Sequence, residues 1–96
     1  MINLLEISII TAAVVAVIFN FVELRKETIN YGNPTKKQLA NMASIFFSVV
    51  AALIFAYILY DGGDDFRIAG YVFSAAAVVT NVFSLGYFLN LIQADA

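Results

Sequence analysis

The sequence predicts an all-α integral membrane protein: three transmembrane helices in an up-down-up bundle, N-terminus outside and C-terminus inside. Three observations carry that expectation. The 96-residue chain is 62% hydrophobic and 12% charged, with a mean hydropathy of +0.90, whereas soluble domains run at about 45–50% apolar and about 25% charged. The apolar residues fall into three runs, each long enough at about 1.5 Å per residue to span the roughly 30 Å hydrocarbon core of a bilayer. The charges fall mostly in the two connections between those runs. A soluble domain of this size could not hide so much apolar side chain. Membrane-barrel strands would alternate polar and apolar residues over about 10 positions, and these runs do not.

The first run, Ile2 to Val22, carries one charge, Glu6. It has no basic leader and no small-residue cleavage site, so it reads as a retained helix over about 2–28 rather than a signal peptide. The connection ELRKETINYGNPTKKQ, from Glu23 to Gln38, breaks at Asn30, Tyr31 and Gly32. Asn33 is a natural N-cap there, and Pro34 suits the first helical position because its missing N–H costs nothing. A second helix over about 34–60 follows, free of charge from Leu39 to Tyr60. The short turn DGGDDF, Asp61 to Phe66, makes the next helix its antiparallel neighbour. That third helix, about 66–93, is uncharged from Ile68 to Ile92. The whole chain, 1–96, reads as one domain.

Loop charge sets the expected direction. Arg25, Lys26, Lys36 and Lys37 lie in the first connection, whereas the second holds three aspartates beside Arg67. The positive-inside rule puts the first connection in the cytoplasm. Tyr57, Tyr60, Phe66 and Tyr71 flank the opposite turn, where an aromatic belt would sit. The expected location is a multi-pass position in an inner or cytoplasmic membrane, or in a virion membrane. A net charge of −2 and a pI near 4.7 argue against nucleic acid as a partner.

Helices in lipid associate through close packing and interhelical hydrogen bonds, so small and polar residues mark their contact faces. Gly70, Ser74, Ala77, Asn81 and Ser84 repeat at spacings of 4, 3, 4 and 3 along one face of the third helix, the register of left-handed crossings. The first helix carries Glu6, Ala13, Ala16, Asn20, Glu23 and Glu27 in a similar stripe, and the second carries Ala40, Ser44, Ser48, Ala51 and Ala52. Ala69, Ala76, Thr80 and Tyr87 form an adjacent small face on the third helix, more than two neighbours require. The expected partners are therefore the lipid bilayer together with other copies of the chain or other membrane subunits.

Chemistry finds little to work with. The chain has no cysteine and no histidine, so no cofactor and no transition-metal site is expected, and no enzyme activity either. No Gly-x-Ser-x-Gly elbow or glycine-rich phosphate loop is present. Asp61, Asp64 and Asp65 do not follow the spacing of a calcium loop and read as a solvated turn. Arg25, Lys26, Lys36 and Lys37 suit anionic headgroups at the membrane surface. An intramembrane carboxylate such as Glu6 is a functional-site hypothesis by default, although an acid also suits the first turn of a helix. Asn20 and Asn81 must each find a partner, because an unpaired amide in hydrocarbon costs several kcal/mol. These residues, with the Gly70–Ser84 stripe, form either helix packing or a solute path. The sequence thus predicts a small structural or accessory membrane protein that packs into a homo-oligomer or a larger membrane assembly.

In outline the chain also resembles the SemiSWEET half-transporters, small three-helix proteins that dimerise to pass sugars. Length, an N-out start, a longer basic first loop and a short second loop carry the resemblance, which covers the whole chain as architecture. It implies a dimer that passes a small solute, with Asn81 deeper in the third helix than the pocket asparagine of that family. The Pro-Gln pair of that family is absent, with Asn20 and Phe21 near its place, and the chain has no tryptophan. A third alternative is a holin-like pore former, similar in size and topology, although the C-terminal QADA lacks the usual basic tail.

Overall fold

A computed structural model describes residues 3–26, 35–61 and 66–91, all built into three helices and their caps. Helix α1 spans Leu4–Arg25, α2 spans Lys36–Asp61 and α3 spans Arg67–Phe88. Each of the three is long and apolar enough to cross a membrane.

Local chemistry sets the ends. Asn3 caps α1 in a reciprocal box: Glu6 N–H donates to Asn3 Oδ1 at 2.9 Å and Asn3 N–H donates to Glu6 Oε1 at 3.0 Å. Two orphan amides of the first turn are satisfied at once. Helix α2 opens with the same device, Gln38 N–H to Thr35 Oγ1 and Thr35 N–H to Gln38 Oε1, both at 3.1 Å. Asn33 and Pro34, predicted to start this helix, lie outside the described residues. Helix α3 stops at Phe88, short of the 93 that the apolar run predicts. Asn90 adopts φ 60°, and Leu91 N–H reaches Gly86 O at 2.8 Å while Asn90 N–H reaches Tyr87 O at 3.2 Å. These paired bonds form a Schellman motif, in which asparagine is the usual substitute for glycine at the left-handed position.

Helix α2 packs along both α1 and α3, and the α1 and α3 backbones approach each other far less. The face of α2 that meets them is Asn41, Ser44, Ser48, Ala51, Phe55 and Ile58, all buried. Their spacings of 3, 4, 3, 4 and 3 keep them in one seam. On α1 the buried set is Glu6, Ala13, Asn20, Glu23 and Leu24, and on α3 it is Gly70, Ala77, Ser84 and Gly86. Large apolar side chains such as Leu5, Val15, Phe46, Leu53, Val72 and Phe83 point outward instead. Apart from Leu24, Phe55 and Ile58 the buried residues are polar or small, and most of the apolar bulk is outside, the arrangement expected when the solvent is hydrocarbon.

Candidate functional site

Two polar clusters tie the helices together, with an apolar groove beside them. The first cluster gathers on Glu6, which is fully buried. The capping box fixes its Oε1 against the Asn3 amide, leaving Oε2 directed at α3. There Tyr71 donates its hydroxyl to Oε2 at 3.0 Å, and Arg67 Nε stands 3.1 Å from the same oxygen as an ion pair. The Tyr71 ring is held edge-on against Phe55 of α2, centroids 5.2 Å apart. The carboxylate therefore has a neutral donor, a cation and a backbone amide around it, which is how a buried acid avoids an uncompensated charge.

The second cluster joins all three helices. Asn20 Nδ2 donates to its own Ala16 carbonyl at 2.7 Å and to Asn81 Oδ1 at 2.8 Å. Asn81 Nδ2 donates to Ala77 O at 2.7 Å and reaches Ser48 Oγ at 3.4 Å. Ser84 Oγ lies 2.6 Å from both Asn20 Oδ1 and Asn41 Oδ1. One hydroxyl proton faces two amide oxygens, so the contact is either bifurcated or completed by turning the Asn41 amide, whose Nδ2 then donates to Ser84. Asn20, Asn41, Ser48 and Ser84 are buried, and Asn81 is half-buried. Ser44 Oγ, on the same α2 seam, is buried with no hydrogen-bond partner among the described residues.

Of the predicted stripe on α3, Asn81 and Ser84 enter this network, Gly70 lies against Phe55, Ala77 is buried and Ser74 bonds back to the Gly70 carbonyl at 2.8 Å. Among the predicted basic residues, Lys26 pairs with Glu23 Oε1 at 2.8 Å and Lys37 with Glu23 Oε2 at 3.7 Å. Arg25 lies over the Phe21 ring at 5.6 Å, and Lys36 is exposed at the start of α2. Glu27, Asp64, Asp65 and the side chain of Asp61 lie outside the described residues. Sequence reasoning overlooked Asn41 and the roles of Arg67 and Tyr71. Asn41 could have been found, since it stands three and seven residues before Ser44 and Ser48 on the seam. No local signal pairs Tyr71 with Glu6.

Between α1 and α3 runs a groove of about 610 Å³, floored by Ser48 and Ala51 of α2. Its walls are Ile9, Ala12, Ala13, Val15, Ala16 and Phe19 on one side and Ser74, Ala77, Val78, Asn81, Val82 and Leu85 on the other. No group of three acidic, histidine or cysteine side chains that could hold a metal occurs among the described residues. Comparison with protein families, with curated proteins and with solved structures yields no match to this chain.

The network predicts a measurable coupling. Asn20→Leu removes two interhelical bonds and leaves Asn81 Oδ1 without its donor, while Ser84 keeps Asn41, so it should lower stability in detergent by on the order of 1–2 kcal/mol. A double-mutant cycle with Ser84→Ala should return a coupling near 1 kcal/mol. Additive losses would show that the two side chains do not share a bond.

Proposed function

We propose that this chain is a small structural or accessory protein of a membrane, threading the bilayer up, down and up, and packing with copies of itself or with other membrane subunits. The first connection, with its basic residues, faces the cytoplasm in this reading, and the N-terminus lies outside. The observation that carries the packing role is the Asn20, Asn81 and Ser84 network, which spends its polar groups between the helices. A solute path needs donors and acceptors left over for the solute. Here the Asn20 and Asn81 amides and the Ser84 hydroxyl are used by one another, and the polar residues of the neighbouring groove, Ser48, Ser74 and Asn81, are hydrogen-bonded within the bundle. Such bonds hold helices together in lipid. The half-buried Ala69, Ala76, Thr80 and Tyr87 of α3 supply a further small face for a neighbour.

Extraction into nanodiscs, followed by measurement of the intact mass, tests the proposal. The expected result is a multiple of the 10.5 kDa chain, or the chain together with another membrane polypeptide. A monomer at every protein concentration would overturn it. So would solute uptake into liposomes that Asn81→Leu abolishes.

A further inference from the structure

The groove between α1 and α3 has an end, and the charge at that end says what could enter it. Phe19, the last groove residue of α1, meets Phe88 edge-on at 5.3 Å. Lys26 Nζ stands over that Phe88 ring at 5.9 Å, with its side chain 59% exposed. Lys26 and Lys37 flank the shared Glu23, at 2.8 and 3.7 Å, two cations to one carboxylate. At the opposite end the Glu6, Tyr71 and Arg67 contacts close the gap between the two helices. The three polar residues of the groove are already engaged: Ser74 with Gly70 O, Asn81 with Asn20 and Ala77, Ser48 with Asn81. Hydrocarbon is therefore the chemistry the groove accepts, with a negative charge at its basic mouth.

We infer that the groove seats one acyl chain of an anionic phospholipid, whose phosphate sits at Lys26 and whose chain runs past Phe19 to Ala16, against Leu85 and Val82. The inference rests on the bilayer placement proposed above. One leaflet is about 15 Å deep, half of the hydrocarbon core, and that is about ten residues of helix, so a chain headed at Lys26 occupies the Phe19 to Ala16 end of the groove and does not reach its Ile9 end. A full-length helix lying along the groove would run into the Glu6 closure, whereas a single chain ends before it. Charge complementarity selects the headgroup, since basic residues at a membrane surface favour anionic lipid over zwitterionic lipid.

Native mass spectrometry of the protein released from micelles doped with phosphatidylglycerol or phosphatidylcholine of identical chains tests the inference. One phosphatidylglycerol per chain should be retained preferentially. Lys26→Gln should lower that preference about fivefold, the ~1 kcal/mol that one basic residue is worth at an anionic surface. Ala16→Leu, which fills the groove, should remove the retained lipid of either kind. Lys26 is exposed, so its variant reads the headgroup even if Ala16→Leu disturbs the fold. Retention without headgroup preference, retention unaffected by either variant, or a second polypeptide in place of the lipid would each overturn the inference. The protein mass in the same spectra reports assembly separately, so failure of the lipid seat and failure of the packing role give different results.

Discussion

Glu6→Leu is expected to lower unfolding stability in mixed micelles by on the order of 3 kcal/mol, the range for removing one partner of a buried ion pair. The substitution takes three things from the structure together. Asn3 loses the carboxylate half of its capping box, Tyr71 loses its acceptor, and Arg67 loses the carboxylate 3.1 Å from Nε. Glu6→Gln should cost about half as much. Its single amide oxygen can accept from Tyr71 or from the Asn3 amide but not from both, so one of those bonds goes along with the attraction to the guanidinium. Pairing Glu6→Leu with Arg67→Met should recover most of the loss, because replacing both charges avoids a stranded cation. Unfolding midpoints of the four proteins, followed by helical circular dichroism, decide the matter. If the double variant is as unstable as Glu6→Leu alone, the ion pair is not what holds α1 to α3 at this end.

Such an arrangement was partly legible in the sequence. An acid in the third position of a helix, three residues after asparagine, is the pattern of a capping box, and an acid suits the first turn of a helix. The partners across the bundle were not legible, since Arg67 and Tyr71 are 61 and 65 positions further along and no periodicity links them. The three membrane-length helices were visible because hydrocarbon imposes a length and a composition on any segment that crosses it. Their polar seams were visible because spacing alone fixes a helix face, and Asn20, Asn81 and Ser84 all lie on the small and polar stripes that this spacing marks. What spacing does not fix is which stripe meets which. It gave no sign that α2 would lie against both neighbours, or that α1 and α3 would be joined at two polar clusters with a groove between. Those outcomes depend on side-chain reach, as with the 2.6 Å contacts that draw Asn20 and Asn41 onto one serine. The end of α3 was missed for a different reason. Composition stays apolar through Ile92, and the stop is written in one asparagine able to take a left-handed backbone.

Gly70 predicts the other large effect. A Cβ built at Gly70 would stand 2.8 Å from Phe55 Cζ and 3.0 Å from both Phe55 Cε1 and Ile54 Cγ2, closer than carbon atoms pack. Phe55 has no exposed surface and is held edge-on by Tyr71, so its ring has no free direction in which to move. Gly70→Leu should therefore destabilise the bundle by at least about 3 kcal/mol, the upper end of the overpacking range. The loss should spread to Glu6, because Tyr71 adjoins the site. Gly70→Ala should be much milder. About 1 kcal/mol of gained helix propensity offsets part of the crowding, leaving a net loss of about 0–2 kcal/mol. The mechanism has its own check. Phe55→Ala alone opens a cavity and should cost about 3–5 kcal/mol, yet in the Gly70→Leu background the new side chain would occupy part of that space. The two losses should then fall short of additivity by on the order of 2 kcal/mol. Strictly additive values would mean that the close approach of α2 and α3 at Gly70 is not the source of the strain.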